Sequence, residues 1–404
     1  MSPPNGAAGA AEAPARILVV DDTEANRDLL ARRLVRQGHR VDTASGGSAA
    51  LARLAEDAFD LVLLDIMMPD MNGYEVLERL KADPELRHVP VIMITAIDDL
   101  DSVVRCIELG AEDHLLKPFN ATLLRARIDS SLARKRLHDR EQTWARALER
   151  ELEIGRNIQR GFLPHSLPRL AGWDVATAFH PARQVAGDFY DVFEIAGAGR
   201  LALVVADVCD KGVGAALFMA VFRSLLRVTV AESYAAGRFP VGDDAAHLVR
   251  TVRILSDYDA RTHGDANMFA TVFFGVLDPA TGTLTYVNAG HDAPCLLAPG
   301  GGPPRRLEPT GPTVGLLPDL EFGTGTVTLA PGELLLAFTD GVTDARAPDG
   351  ALYGEARLLA RAAEHAGAAG AAAVLEAIEA DLDAHGAGAV PFDDVTLLAV
   401  RRCA

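Results

Sequence analysis

The chain has 404 residues, 49% of them apolar, and a formal net charge of −17. That length exceeds what one hydrophobic core usually supports, so two domains are expected, and an acid excess without a compact basic stripe argues against direct nucleic-acid binding. The longest apolar runs, such as Leu61 to Leu64 and Leu201 to Ala206, are too short to cross a bilayer, so no membrane association is expected.

Residues 1–15 are rich in Ala, Pro and Gly, without a basic start or an apolar stretch, and read as a disordered tail rather than a signal peptide. Cys106, Cys209, Cys295 and Cys403 share no CxxC spacing. This opposes structural zinc and a disulfide framework, and it fits a cytoplasmic protein.

From residue 16, short apolar runs alternate with helical periods. Strands are predicted over 17–20, 40–44, 61–65, 91–95 and 114–117, and helices over 24–37, 47–55, 74–81, 102–109 and from 121 onward. The pattern defines an α/β domain over 16–132, built on a doubly wound, parallel, five-stranded sheet. Ligands of such sheets bind outside the carboxyl ends of the strands, and the polar residues fall there. Asp21 and Asp22 follow the first strand, Asp65 ends the third, Thr95 the fourth and Lys117 the fifth.

An Asp in a strand-to-helix loop is often only a cap, and Asp98 and Asp99 read that way. Caps need no lysine opposite them, which sets Asp21, Asp22, Asp65 and Lys117 apart. A carboxylate attacks phosphorus poorly unless a cation screens the incoming charge, and Mg²⁺ favours a few carboxylates with water and phosphate oxygens.

The motifs VVDD (19–22), LLDIMMPDMNG (63–73), Thr95-Ala96 and KPF (117–119) closely resemble response-regulator receiver domains. The resemblance implies that Asp65 is the phosphoacceptor. Asp22, Asp65 and the Met67 carbonyl would bind Mg²⁺ with help from Asp21, while Thr95 and Lys117 contact the phosphoryl group. It also implies a sensor histidine kinase as partner. Receivers usually carry an aromatic residue where His114 stands, so a histidine takes the place of the usual switch residue.

Between 123 and 158 there is no proline and only Gly155 breaks a run rich in Ala, Leu, Arg and Glu. Leu137, Trp144, Glu151 and Ile158 follow a spacing of seven, as do Leu148, Gly155 and Phe162. A helical linker over 133–160 is predicted, either a coiled coil that makes the protein a homodimer or a single amphipathic helix.

After Pro164 the texture changes to Gly- and Pro-rich turns. Strands are predicted over 173–179, 201–208, 269–277, 284–288, 333–339 and 395–400, with helices over 214–230, 245–258, 355–363 and 371–382. The result is an α+β layered sandwich over 161–404 with mostly antiparallel sheets. Its acids again recur at strand ends: Asp188, Asp207, Asp340 and Asp393, with Asp394 as an ambiguous neighbour. Hard oxygen ligands without His or Cys suit Mg²⁺ or Mn²⁺ rather than zinc.

VAGDFYD, DVCDKG, NAGH (288–291), TDGV (340–342 with Thr339) and DDVT, in this order, resemble metal-dependent PPM protein phosphatases of the SpoIIE-like branch. The resemblance implies two Mn²⁺ or Mg²⁺ ions that activate water against phosphoserine or phosphothreonine. Asp188 and Asp207 would bridge or flank them, the Val208 carbonyl would complete one site, and Asp340 and Asp393 would hold one ion from the far side. It further implies an anti-sigma-factor antagonist as substrate.

His291 reads either as a residue facing the phosphate or as an ordinary turn histidine. Asp191 and Asp210 read as surface or supporting acids, Cys209 as a packing residue, and Arg183 as a weak candidate for a phosphate clamp. No lysine is paired with the second acid set. The leading function is a response regulator in which Asp65 phosphorylation controls a Ser/Thr phosphatase; the alternative is an inactive phosphatase fold that binds a partner when the receiver is phosphorylated.

Overall fold

The computed structural model describes residues 14–96, 100–118, 120–236, 239–240, 242–264, 268–367, 370–388 and 391–403. The expected tail lies outside these residues up to position 13, as do Asp98, Asp99 and Phe119. Ala15 is already structured: it is buried, and its carbonyl accepts a hydrogen bond from the Arg40 amide. The chain divides into two compact units between Leu148 and Glu149.

The first unit alternates β1 (Arg16–Val20), α1 (Glu24–Arg36), β2 (Arg40–Ala44), α2 (Gly47–Glu56), β3 (Leu61–Asp65), α3 (Gly73–Ala82), β4 (Val91–Thr95), α4 (Leu100–Glu108) and β5 (Asp113–Leu116). The strands form one parallel sheet in the order β2-β1-β3-β4-β5. Side chains alternate between its two faces. Ile17, Val19, Leu61 and Leu63 enter one cluster, and Leu18, Val20, Val62 and Leu64 the other.

Helix α5 (Ala121–Arg160) runs for 40 residues without a break, through Gly155. Its first turns place Leu124, Ile128 and Leu132 in the core. Beyond them Leu137, Trp144, Leu148, Ile154 and Ile158 are exposed.

The second unit contains β6 (Trp173–His180), β7 (Phe189–Ile195), β8 (Arg200–Val208), α6 (Val213–Ala235), α7 (Asp244–His263), β9 (Ala270–Asp278), β10 (Thr283–Ala289), β11 (Cys295–Leu297), β12 (Arg305–Arg306), β13 (Gly325–Thr328), β14 (Leu334–Phe338), α8 (Asp340–Thr343), α9 (Glu355–Ala366), α10 (Ala371–Gly386) and β15 (Val395–Arg402). Two antiparallel sheets, ordered β13-β10-β9-β8-β7 and β12-β11-β14-β15-β6, stack face to face.

Strand periodicity builds the layers. Leu201, Leu203 and Val205 of β8 meet Leu335, Ala337, Leu398 and Val400 between the sheets. The alternate β8 residues Ala202, Val204 and Ala206 pack against Phe218, Phe222 and Leu226 of α6. On the far side Leu336, Phe338, Leu397 and Ala399 pack against Leu358 of α9 and Val374 and Ile378 of α10. The order of layers is therefore helix, sheet, sheet, helix.

Several elements were absent from the predicted set. Strand β7 was missed because its sequence, FYDVFEI, mixes charge into its apolar pattern, and β11, β12, β13 and α8 because each is only two to four residues long. Helix α6, at 23 residues, is long and apolar enough to cross a membrane by composition alone. Its row of Ala215, Met219, Phe222, Leu226 and Val230 is buried against the sheet, while Val213, Leu217, Val221 and Val228 are exposed.

Candidate functional site

In the first unit, the parallel sheet delivers the acids to one edge. Carboxylate oxygens of Asp21, Asp22 and Asp65 lie within 4.8 Å of one another. Lys117 Nζ reaches Asp21 Oδ2 at 2.8 Å and Asp65 Oδ2 at 2.9 Å. Asp21, fully buried, also accepts from the Thr23 amide at 2.9 Å and from Asn26 Nδ2 at 3.1 Å.

Burial pushes the Asp65 carboxyl above its usual range, and Asp21 adds to that rise, while Lys117 opposes it. For Lys117, burial disfavours the ammonium, but its contacts with Asp21 and Asp65 outweigh this and raise its pKa. The acids repel one another, so an added cation gains from all three at once. Asp22 is exposed and open to solvent, and Thr95, at the end of β4, is buried.

Gly73 fixes the floor of this site. A Cβ there would sit 2.3 Å from the Asp65 carbonyl oxygen, so only glycine lets α3 begin so close to the end of β3. Asp70, in the same loop as Met67, accepts from the Gly47 and Ser48 amides at 3.2 and 3.1 Å and caps α2. His114 is half-buried on β5, paired in register with Met93.

The second acid set assembles where both sheets end. Strand register pairs Phe189 with Ala206 and Asp207 with Thr271, so Asp188 lies beside Asp207. Asp340 opens α8 directly after β14, and Asp393 and Asp394 precede β15, which pairs antiparallel with β14. Burial raises the pKa of Asp188 well above the carboxylate range, reinforced by Asp207. Asp207 is raised by burial and by Asp340, Asp393 and Asp394. Asp340 is raised by burial, then Asp393 and Asp344, against Lys211.

The structure separates the two neighbouring acids. Asp394 is buried and spent on backbone: its oxygens accept from the Ala182 amide at 2.7 Å and the Gly187 amide at 2.8 Å. It thereby holds the loop that presents Asp188. Asp393 instead faces Lys211 Nζ at 2.7 Å. This lysine corrects the expectation that the second set has none. Its ammonium also lies 4.2 Å from the Phe392 ring centroid and donates to the Phe392 carbonyl at 2.9 Å.

Other supporting groups were not singled out in the sequence. Thr396 Oγ1 donates to Asp188 Oδ2 at 2.9 Å, and Thr339 Oγ1 accepts from the Thr396 amide at 3.1 Å. Both threonines sit inside the DDVT and FTDG motifs, where only the acids had been weighed. A Cβ on Gly341 would lie 1.9 Å from the Asp394 carbonyl oxygen, and one on Gly187 would lie 3.0 Å from the Val208 carbonyl oxygen. These glycines let the acid-bearing loops close on one another.

The remaining sequence candidates occupy distinct environments. His291 is buried, with Nδ1 2.8 Å from Thr271 Oγ1, and burial pushes its pKa down to about 4. Burial favours its neutral form, and its Nε2 has no hydrogen-bond partner among the described residues. Asp191 is not on the surface: it is fully buried and paired with Arg223 at 2.9 Å and Arg227 at 2.7 Å, which pins α6 to β7. Cys209 Sγ accepts from the Phe269 amide at 3.1 Å, while Asp210 is exposed in a left-handed turn with φ of 73°. Arg183 is exposed on the loop held by Asp394.

Among the described residues only Asp21, Asp22 and Asp65 bring carboxylate oxygens within 4.8 Å of one another; the second set shares their all-oxygen chemistry, which suits divalent cations, in a looser cluster. Two stacked antiparallel sheets ending in such a cluster, joined to a parallel five-stranded fold with Asp21, Asp22, Asp65 and Lys117 at one edge, define a receiver joined to a PPM-type phosphatase domain. The response regulator receiver domain model matches residues 17–129, and the Stage II sporulation protein E (SpoIIE) model matches residues 197–403. The chain belongs to the SpoIIE family.

Among curated relatives, Protein IcfG of Synechocystis sp. is 43% identical over 266 residues, covering 62% of this chain and 41% of IcfG. Response regulator PleD of Caulobacter vibrioides is 48% identical over 116 residues, covering 29% of this chain and 26% of PleD. The chain thus spans less than half the length of either relative. The SiaA-PP2C domain of Pseudomonas aeruginosa has a similar fold, with a TM-score of 0.52 at 22% identity, covering 64% of this chain and 98% of that domain.

Proposed function

We propose that phosphorylation of Asp65 controls a metal-dependent protein phosphatase acting on phosphoserine or phosphothreonine. The observation that carries this reading is the convergence of Asp188, Asp207, Asp340 and Asp393 at the common end of two sheets, where burial and mutual repulsion raise Asp188, Asp207 and Asp340. An inactive binding scaffold gains nothing from such a cluster, which costs stability unless cations occupy it.

Asp188, Asp207, Asp340, Asp393 and the Val208 carbonyl would hold Mn²⁺ or Mg²⁺ ions. Bound there, the ions would supply charge neutralisation and an activated water. The protein's own part is positional. Asp394 and Thr396 orient Asp188, Gly187 keeps the Val208 carbonyl accessible, and Lys211 offsets charge at Asp393. In the receiver, Asp21, Asp22, Asp65 and the Met67 carbonyl would hold Mg²⁺. Lys117 would meet one phosphoryl oxygen and Thr95 another.

The route from switch to enzyme is supported by α5. Near its end, Gln159 Nε2 donates to the Ala186 carbonyl at 2.6 Å and Gln159 Oε1 accepts from the Ala186 amide at 3.0 Å. Ala186 lies two residues before Asp188, so a shift of the helix end is felt directly by that acid. The exposed row of Leu137, Trp144, Leu148, Ile154 and Ile158 supports pairing of α5 with a second copy as the controlling event.

A sensor histidine kinase would supply the phosphoryl group, an anti-sigma-factor antagonist would be the substrate, and the setting would be cytoplasmic. The test of the switch is mass spectrometry after acetyl phosphate: one phosphoryl adduct is expected, absent in Asp65→Ala. A wild-type receiver that stays unmodified would end this reading.

A further inference from the structure

The first unit has a second polar cavity, which neither the phosphoacceptor site nor the linker's exposed row uses. It is a cleft of about 510 Å³ between the α3–β4 turn and α5, lined among others by Lys81, Arg87, His88, Ser131, Arg134 and Lys135. Ser131, Arg134, Lys135, His138 and Gln142 share one helix face by their spacing. His88 and His138 add imidazoles with ring centroids 6.4 Å apart.

The charge balance is unusual for this chain, which has 39 basic against 56 acidic residues. Arg134 is paired with Glu112 at 2.6 Å and Lys135 with Asp139 at 2.5 Å. Glu112 also lines the cleft and its charge acts on Lys81 as well as on Arg134, which leaves Arg87 as the cation of the cleft with no acidic partner among the described residues. Lys81 Nζ donates to the Arg87 and Val89 carbonyls at 2.9 and 2.8 Å, which fixes the turn and leaves one ammonium hydrogen unused.

Ser131 supplies an independent sign of a ligand. It is only 1% exposed and its Oγ has no hydrogen-bond partner among the described residues, although it lines the cavity. A buried hydroxyl left in that state is costly. Lys and Arg donate but never accept, so the cavity wants an acceptor-rich anion, and guanidinium groups match phosphate oxygens best. The volume exceeds what a lone phosphate fills, and Pro84, Pro90 and the imidazoles offer flat walls.

We propose that this cleft binds a phosphate-bearing small molecule of nucleotide size. Held there, the ligand ties the α3–β4 turn to α5 just beyond Leu132, the last residue of the helix in the receiver core. It would thereby fix how the helix leaves the receiver, as an input separate from Asp65.

The test is calorimetric titration of the metal-free full chain at low ionic strength, with pyrophosphate, ATP and adenosine as probes. Pyrophosphate is expected to bind, ATP to bind at least as tightly, and adenosine not to bind. Arg87→Gln, at an exposed position, should weaken both phosphate probes by about tenfold or more. Ser131→Ala should weaken them while leaving the unfolding midpoint near the wild-type value. Adenosine binding on its own, absence of binding by both phosphate probes, or unchanged affinity in Arg87→Gln would each overturn the proposal.

Discussion

Asp259 offers a quantitative check on the electrostatics of the second unit. It is 1% exposed on α7, neither carboxylate oxygen has a hydrogen-bond partner among the described residues, and burial pushes its pKa from 3.8 to about 7. The folded state therefore keeps a proton that the unfolded state has lost, and stability falls as pH rises from about 4 to about 7, then levels off. Between pH 5 and pH 7 that spans about 2 pH units, or about 3 kcal/mol at 1.36 kcal/mol each, less whatever local relaxation recovers.

His291 works in the opposite sense. Neutral when folded, with its pKa at about 4, it favours the folded state more as pH rises toward 6.5. The informative quantity is therefore the difference between wild type and Asp259→Asn, not the raw slope. Trp173 is buried in the second unit while Trp144 is exposed, so a Trp144→Phe background leaves one fluorescent reporter of that unit.

In thermal unfolding of the metal-free chain, wild type should lose roughly 5–10 °C relative to Asp259→Asn on going from pH 5 to pH 7.5. Asp188 and Asp207 are raised in the same direction, but their contribution should disappear when Mn²⁺ is added, whereas that of Asp259 should remain. A difference that does not depend on pH would refute the reasoning about Asp259. A metal-insensitive comparison of wild type with Asp207→Asn would refute the reasoning about the acid cluster.

Asp191→Asn leaves the buried Arg223 and the partly exposed Arg227 around a neutral group, so a loss of about 3–5 kcal/mol is expected in urea unfolding; a loss under about 1 kcal/mol would contradict its role as the anchor of α6. Lys211→Gln removes the cation beside Asp393, so Mn²⁺ should bind more tightly in calorimetry, and unchanged or weaker binding would show that Lys211 does not compete with the metal. Gln159→Ala frees both polar groups of Ala186, so beryllofluoride should no longer alter phosphatase activity; a full response would place the signal on another route. Gly73→Ala should push Asp65 out of place and slow acetyl-phosphate labelling, and wild-type labelling would contradict the close contact.

The receiver was legible almost residue by residue, because the central strands β1, β3 and β4 are buried apolar runs and the polar groups sit at or just beyond the strand ends. The second unit was harder. Strand β7 carries Asp191, whose charge hides the strand pattern until Arg223 and Arg227 from α6 neutralise it. The four separate acids could be found by motif, but choosing between Asp393 and Asp394 required knowing which one the 182–188 backbone occupies. Lys211 and Thr396 were on view in DKG and DDVT, yet their partners lie 182 and 208 residues away in sequence. No local pattern encodes such contacts; they arise from strand register and sheet stacking.

The central claim is that one chain couples a phosphoacceptor to a metal-dependent phosphatase. Its most direct test is phosphate release from a phosphoserine peptide by the full chain with Mn²⁺, measured with and without beryllofluoride at several protein concentrations. The account predicts release that requires Mn²⁺, changes with beryllofluoride, depends on protein concentration, and is lost in Asp340→Ala. No Mn²⁺-dependent release from wild type, with or without beryllofluoride, would contradict it.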